Sequence, residues 1–129
     1  MSASSYANVQ SRIETPRETE IRAFRYVNGL LASARDAAGR AAALHKTHRL
    51  WSILLGELTN PENKLPVELR AGLVSLGLWA QREALARISD DRGVEPLLAL
   101  HRDMIEALEA QAAVPAAPSP GTRLGALSA

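Results

Sequence analysis

The chain contains no cysteine. Disulfides, thiolate nucleophiles and cysteine-based zinc sites are therefore excluded, and a reducing compartment fits. Aromatic residues are scarce, at 4% of 129 residues. β-branched residues are sparse and never alternate with polar ones, so strands have little support. No run of about 18 apolar residues is present to span a membrane. The first residues, Met1-Ser2-Ala3-Ser4-Ser5-Tyr6, lack the basic and apolar regions of a signal peptide. A soluble cytoplasmic protein is expected.

What is abundant is alanine and leucine, within an ordinary apolar fraction of 47%. Both form helices at low rotamer cost. The length suits one domain. The formal net charge of +1 hides an asymmetry. Residues 1–50 carry eight Lys or Arg against four Asp or Glu, whereas residues 51–129 carry seven against ten. A basic first half suits an acidic partner or a nucleic acid.

Ser4 to Arg12 can form a turn or two of helix, with Tyr6 and Val9 on one side. Thr15-Pro16-Arg17-Glu18 is a helix start: Thr15 as N-cap, Pro16 in first position, Glu18 closing a capping box. The first long helix is expected from Pro16 to about Ala38, with Gly39 as terminator. Its apolar stripe is Ile21, Phe24, Val27 or Asn28, Leu31, Ala34 and Ala38. A second helix runs from about Ala41 to Leu58 and buries Leu44, Trp51, Leu54, Leu55 and Leu58. Asn60-Pro61 ends it, because proline disfavours helical backbone in the residue before it.

Pro66 opens a third helix that reaches about Ser89. One face holds Val67, Ala71, Val74, Leu78, Leu85 and Ile88, and another Leu69, Leu73, Leu76 and Ala80. A helix apolar on two faces is expected to be central or to bridge two surfaces. Gly72 and Gly77 within it each cost roughly 1 kcal/mol relative to alanine. Close approach of a neighbouring helix is the expected compensation. Asp90-Asp91-Arg92-Gly93 breaks the chain. Pro96 then opens a fourth helix to about Ala112, with Leu97, His101, Met104 and Leu108 on one face. From Val114 to Ala129 the residues are mainly Pro, Ala, Gly and Ser, too polar and small to offset ordering entropy by burial. The expectation is an all-α, compact single-domain bundle of about four main helices over 1–112. A short N-terminal helical segment and a disordered Pro/Ala-rich tail at 113–129 complete it.

Residues able to carry chemistry are few. His45 and His48 are three apart but lack further ligands, so a solvated or capping role is expected and no metal site. His101 falls on an apolar face, where a hydrogen-bonded histidine at the core edge is expected. Asp90-Asp91 reads as a solvated turn. No nucleophile, glycine-rich phosphate loop or paired acid and base stands out, so no catalytic residue, cofactor or enzymatic activity is expected. Arg17, Arg22, Arg25 and Arg35 form a basic face on the first helix, but Phe24 lies on its buried stripe. A solvated face is therefore favoured over an RNA site. Trp51 and Trp79 read as core.

Several segments, taken in order, resemble the FlaF family of flagellar biosynthesis proteins. They are Tyr6-Ala7, Thr15-Pro16-Arg17-Glu18-Thr19-Glu20, Arg49-Leu50-Trp51-Ser52, Asn63-Lys64-Leu65-Pro66, Leu69-Arg70-Ala71, Ser75-Leu76-Gly77-Leu78-Trp79 and Glu95-Pro96-Leu97-Leu98. Thr15 stands where the family pattern has serine, and His101 where it has asparagine. The resemblance implies a non-enzymatic helical protein that promotes flagellin production in α-proteobacteria. It also implies that the protein acts with FlbT, binds flagellin as a chaperone-like factor and assists its secretion. The alternatives are direct action on flagellin mRNA, or action through another regulatory protein such as FlbT. An apolar groove beside the third helix would receive an amphipathic segment of flagellin. Leu69, Leu73, Leu76 and Trp79 are its expected lining, with Arg17, Arg22 and Arg25 as a charged rim.

Overall fold

The computed structural model of the chain describes residues 14–113. The expected turns at 4–12 and the tail at 114–129 lie outside these residues. The first described element begins at the capping box. The Thr15 hydroxyl accepts from the Glu18 N–H at 3.1 Å, and the Glu18 carboxylate accepts from the Thr15 N–H at 2.9 Å. With Pro16 in first position, α1 runs Pro16–Ser33.

α1 ends a turn earlier than the sequence suggests. Ala34 leaves the helix with extended backbone, and Asp36 caps α2, Ala37–Leu58, by accepting from the Gly39 N–H at 2.7 Å. A carboxylate satisfying an otherwise orphaned first-turn donor outweighs a glycine that was read as a stop. Gly39 thus lies inside the first turn of α2, and Ala38 is exposed there. α3 spans Val67–Ser89 and α4 spans Glu95–Ala113. The described residues form an all-α bundle of four helices.

The α1 stripe buries Ile21, Phe24, Val27 and Leu31. From α2 come Ala43, Leu44, Thr47, Trp51, Leu54 and Leu58, while Leu55 is only half-buried. Thr47 is fully buried because its hydroxyl donates to the Ala43 carbonyl at 2.9 Å. Leu97, Leu98 and His101 bring in α4.

α3 is not central. It buries Gly77, Ala80, Ala84 and Arg87 and leaves Val67, Ala71, Leu76, Leu78 and Leu85 exposed. α3 lies along α2 and α4 lies along α1, whereas α3 and α4 touch little. Small residues set the α2–α3 spacing. A Cβ added at Gly77 would meet Leu55 Cδ2 at 2.8 Å and Trp51 Cε3 at 3.0 Å. Gly72 has open space instead, so only Gly77 marks the close approach.

Polar groups fix the corners. The Asn63 amide donates to the Glu57 carbonyl at 2.9 Å, and its Oδ1 accepts from the Leu65 N–H at 3.0 Å. Arg70 donates to the Asn63 carbonyl at 3.2 Å. At the α3–α4 joint, Arg40 donates to the carbonyls of Arg87, Asp90 and Arg92. Arg87 is buried, pairs with Glu83 and donates to the Gly93 carbonyl at 2.8 Å. Asp90, read as solvated, accepts from the Arg92 N–H at 3.0 Å and from its guanidinium at 2.9 Å. A buried cation needs such a set of acceptors.

Candidate partner-binding cleft

Because α3 and α4 diverge, they leave a cleft of about 640 Å³ at the end of the bundle where α1 starts and α2 stops. Phe24, Trp51, Leu54 and Leu58 form its floor. Leu69 and Leu73 of α3 face Met104 and Leu108 of α4 across it. Arg17, Glu20, Glu57, Asn63 and Gln111 supply polar lining.

The floor is held from below. Phe24 meets Trp51 edge-on at a centroid separation of 5.5 Å, and the His101 ring lies 5.3 Å from Phe24. Trp51 Nε1–H donates to His101 Nε2 at 3.0 Å. That nitrogen is thus the acceptor, so Nδ1 carries the proton and donates to Asn28 Oδ1 at 2.9 Å. The Asn28 amide closes the series on the Leu98 carbonyl at 3.1 Å. Burial lowers the His101 pKa from 6.5 to about 4, so the ring is neutral at physiological pH. His101 is fully buried, deeper than the core edge expected for it. A satisfied, uncharged network beneath Trp51 keeps the floor rigid.

The polar side is electrostatically uneven. Glu20 has its pKa raised, first by burial, then by the charge and hydrogen bonding of Glu57; Arg17 acts in the opposite direction. Two carboxylates, Glu20 and Glu57, thus lie close together beside an apolar surface, with Arg17 near Glu20. A cationic group entering here would relieve their repulsion.

Three of the seven residues expected to bind a partner line the cleft: Leu69, Leu73 and Arg17. Leu76 is exposed outside it, and Trp79 packs half-buried against the core. Arg22 pairs with Glu14 at 2.7 Å, and Arg25 pairs with Glu109 of α4. Met104 and Leu108 were legible as an apolar face but not as a cleft wall. Glu20, Glu57 and Asn63 had no signal of their own, since each depends on which helix ends meet. His45 is exposed and His48 half-buried; among the described residues no three His, Cys, Asp or Glu gather as metal ligands.

A model of the family described as flagellar protein FlaF matches residues 2–108. The chain belongs to the FlaF family. This FlaF-family match takes in the whole cleft except Ala110 and Gln111. It places the protein in the flagellar system. Searches of curated proteins and of solved structures find no match. The segments that carried the resemblance now have physical roles. Trp51 is floor, Asn63 to Pro66 is the α2–α3 corner, and Gly77 is the helix crossing. Among the described residues, no helix is long and apolar enough to cross a membrane.

Proposed function

We propose that this FlaF-family protein binds flagellin in the cleft as a chaperone-like factor and so promotes its synthesis and secretion. The observation that carries this reading is the open apolar cleft between α3 and α4, walled by Leu69, Leu73, Met104 and Leu108. An amphipathic helix presenting apolar side chains at i, i+3 or i+4, and i+7 suits such a groove. Glu20 and Glu57 favour an occupant with a basic residue near that end. The role is binding, not catalysis, and it is exercised in the cytoplasm before export. FlbT is a second partner, acting with the protein on flagellin synthesis.

Isothermal titration of flagellin into the purified chain tests the idea. Micromolar or tighter binding is expected, with loss on Leu73→Asp or Leu108→Asp in variants that keep their helical circular dichroism. Folded wild-type protein that binds no flagellin at about 100 µM would remove the reading.

The basic balance of residues 1–50 favours a second reading, direct contact with flagellin mRNA. Phe24 is buried, and Arg22 and Arg25 are already paired with carboxylates, which weakens it. RNA affinity that falls steeply with salt and depends on sequence would support it; absence of such binding removes it.

A further inference from the structure

α3 carries a second apolar surface that the cleft does not use. Val67 is 69% exposed, Leu78 47% and Leu85 45%. Ala71 is exposed and Val74 half-buried between them. At about 100° per residue these five positions fall within a sector of about 60°. The packed residues Gly77, Ala80 and Ala84 and the cleft residues Leu69 and Leu73 lie roughly 80–160° away around the helix. An apolar stripe on an exposed helix, interrupted here only at Gln81 and Arg82, marks an interaction surface. We infer that this stripe joins two copies of the chain, packed antiparallel through α3.

Two observations select a second copy in that orientation. The stripe is complementary to its own reverse. A two-fold axis level with Leu76 sets Val67 opposite Leu85 of the other copy, and Val74 opposite its Leu78. Ala71 comes opposite Gln81, whose amide is already occupied, donating to Ser52 Oγ at 2.6 Å. The flanking charges agree. Glu68 and Arg82 are exposed on the same side of the stripe, near opposite ends of α3. Neither forms an ion pair among the described residues. Antiparallel packing brings each Glu68 to the Arg82 of the other copy, twice by symmetry. Parallel packing would put this flank of the two copies on opposite sides of the seam and form neither pair. One helix face is smaller than the roughly 800 Å² per partner of a standard interface. The dimer is therefore weak, with Kd on the order of 10 µM. Both clefts stay open in it, so flagellin binding and dimerisation are separable.

Sedimentation velocity of the full chain from about 1 to about 200 µM tests this. A monomer–dimer transition is expected. Leu78→Asp with Leu85→Asp should leave a monomer throughout, with unchanged helical circular dichroism because both side chains face solvent. Glu68→Arg should weaken association about 5-fold or more, and Arg82→Glu added to it should restore affinity. The cysteine-free background gives the orientation. Chains carrying Val67→Cys, mixed with chains carrying Leu85→Cys, should oxidise mainly to the mixed dimer. A chain monomeric at every concentration, a dimer indifferent to Leu78 and Leu85, or preferential Val67→Cys self-crosslinking would each overturn the proposal.

Discussion

Alanine at Gly72 and alanine at Gly77 should change stability in opposite directions. Both glycines lie inside α3, where alanine is intrinsically better by about 1 kcal/mol. Around Gly72 nothing lies within 4 Å of an added Cβ. The whole increment should therefore appear, a gain of about 0.5–1 kcal/mol and a Tm rise of roughly 4 °C. At Gly77 the same methyl would sit 2.8 Å from Leu55 Cδ2, 3.1 Å from Leu55 Cγ and 3.0 Å from Trp51 Cε3. Leu55 is half-buried and can rotate away. Trp51 cannot, because its ring is fully buried and its N–H is bonded to His101. Overpacking of this kind costs about 1–3 kcal/mol. Set against the propensity gain, Gly77→Ala should lose about 1 kcal/mol. Urea unfolding of both variants measures this, with equal m-values as the check that the denatured state is unchanged. Leu55→Ala should cost less in the Gly77→Ala background than in the wild type, giving a favourable coupling. If Gly77→Ala stabilised as much as Gly72→Ala, α2 and α3 would not cross closely at Gly77.

The His101 shift predicts an acid weakness. The unfolded ring takes a proton below about pH 6.5 and the folded ring only near pH 4, so stability should fall by about 3 kcal/mol as pH drops through that window, and His101 should contribute no slope above it. Urea titrations at pH 7 and 4.5 should show this loss, and His101→Gln should flatten it. Glu20 works the other way: its raised pKa means that the charged form is disfavoured in the folded state, so stability is lost as pH rises through its pKa. Glu20→Gln should therefore raise Tm at pH 7 while weakening flagellin binding, read by calorimetry on one preparation. Trp51→Ala should cost about 3–5 kcal/mol, enough to unfold a marginal domain, so its loss of function would not by itself identify a binding residue.

Local chemistry was legible where a signal and its effect lie within one turn. The Thr15–Glu18 capping box, Pro16 and the end of α2 at Leu58 all follow from neighbouring residues. The stripe on α1 was equally plain, because a single apolar face has a single place to go. Gly39 read as a stop and the capping role of Asp36 was missed; the hydrogen bond from the Gly39 N–H to Asp36 starts α2 there instead. Arg87 and Arg40 gave no hint of their roles, since their partners are carbonyls of a loop whose path is set by the bundle.

The sequence by itself determined the helices, the all-α class and the family, because caps, propensity and 3.6-residue spacing act within short stretches of chain. Only the tertiary structure decided what each apolar face of α3 meets. Spacing shows that Leu69, Leu73, Leu78 and Leu85 are apolar positions on a helix. It does not show that α4 turns away to lie along α1, leaving the first two beside an open cleft and the last two facing solvent. That choice rests on contacts between residues far apart in the chain, such as Gly77 against Leu55 and His101 against Trp51.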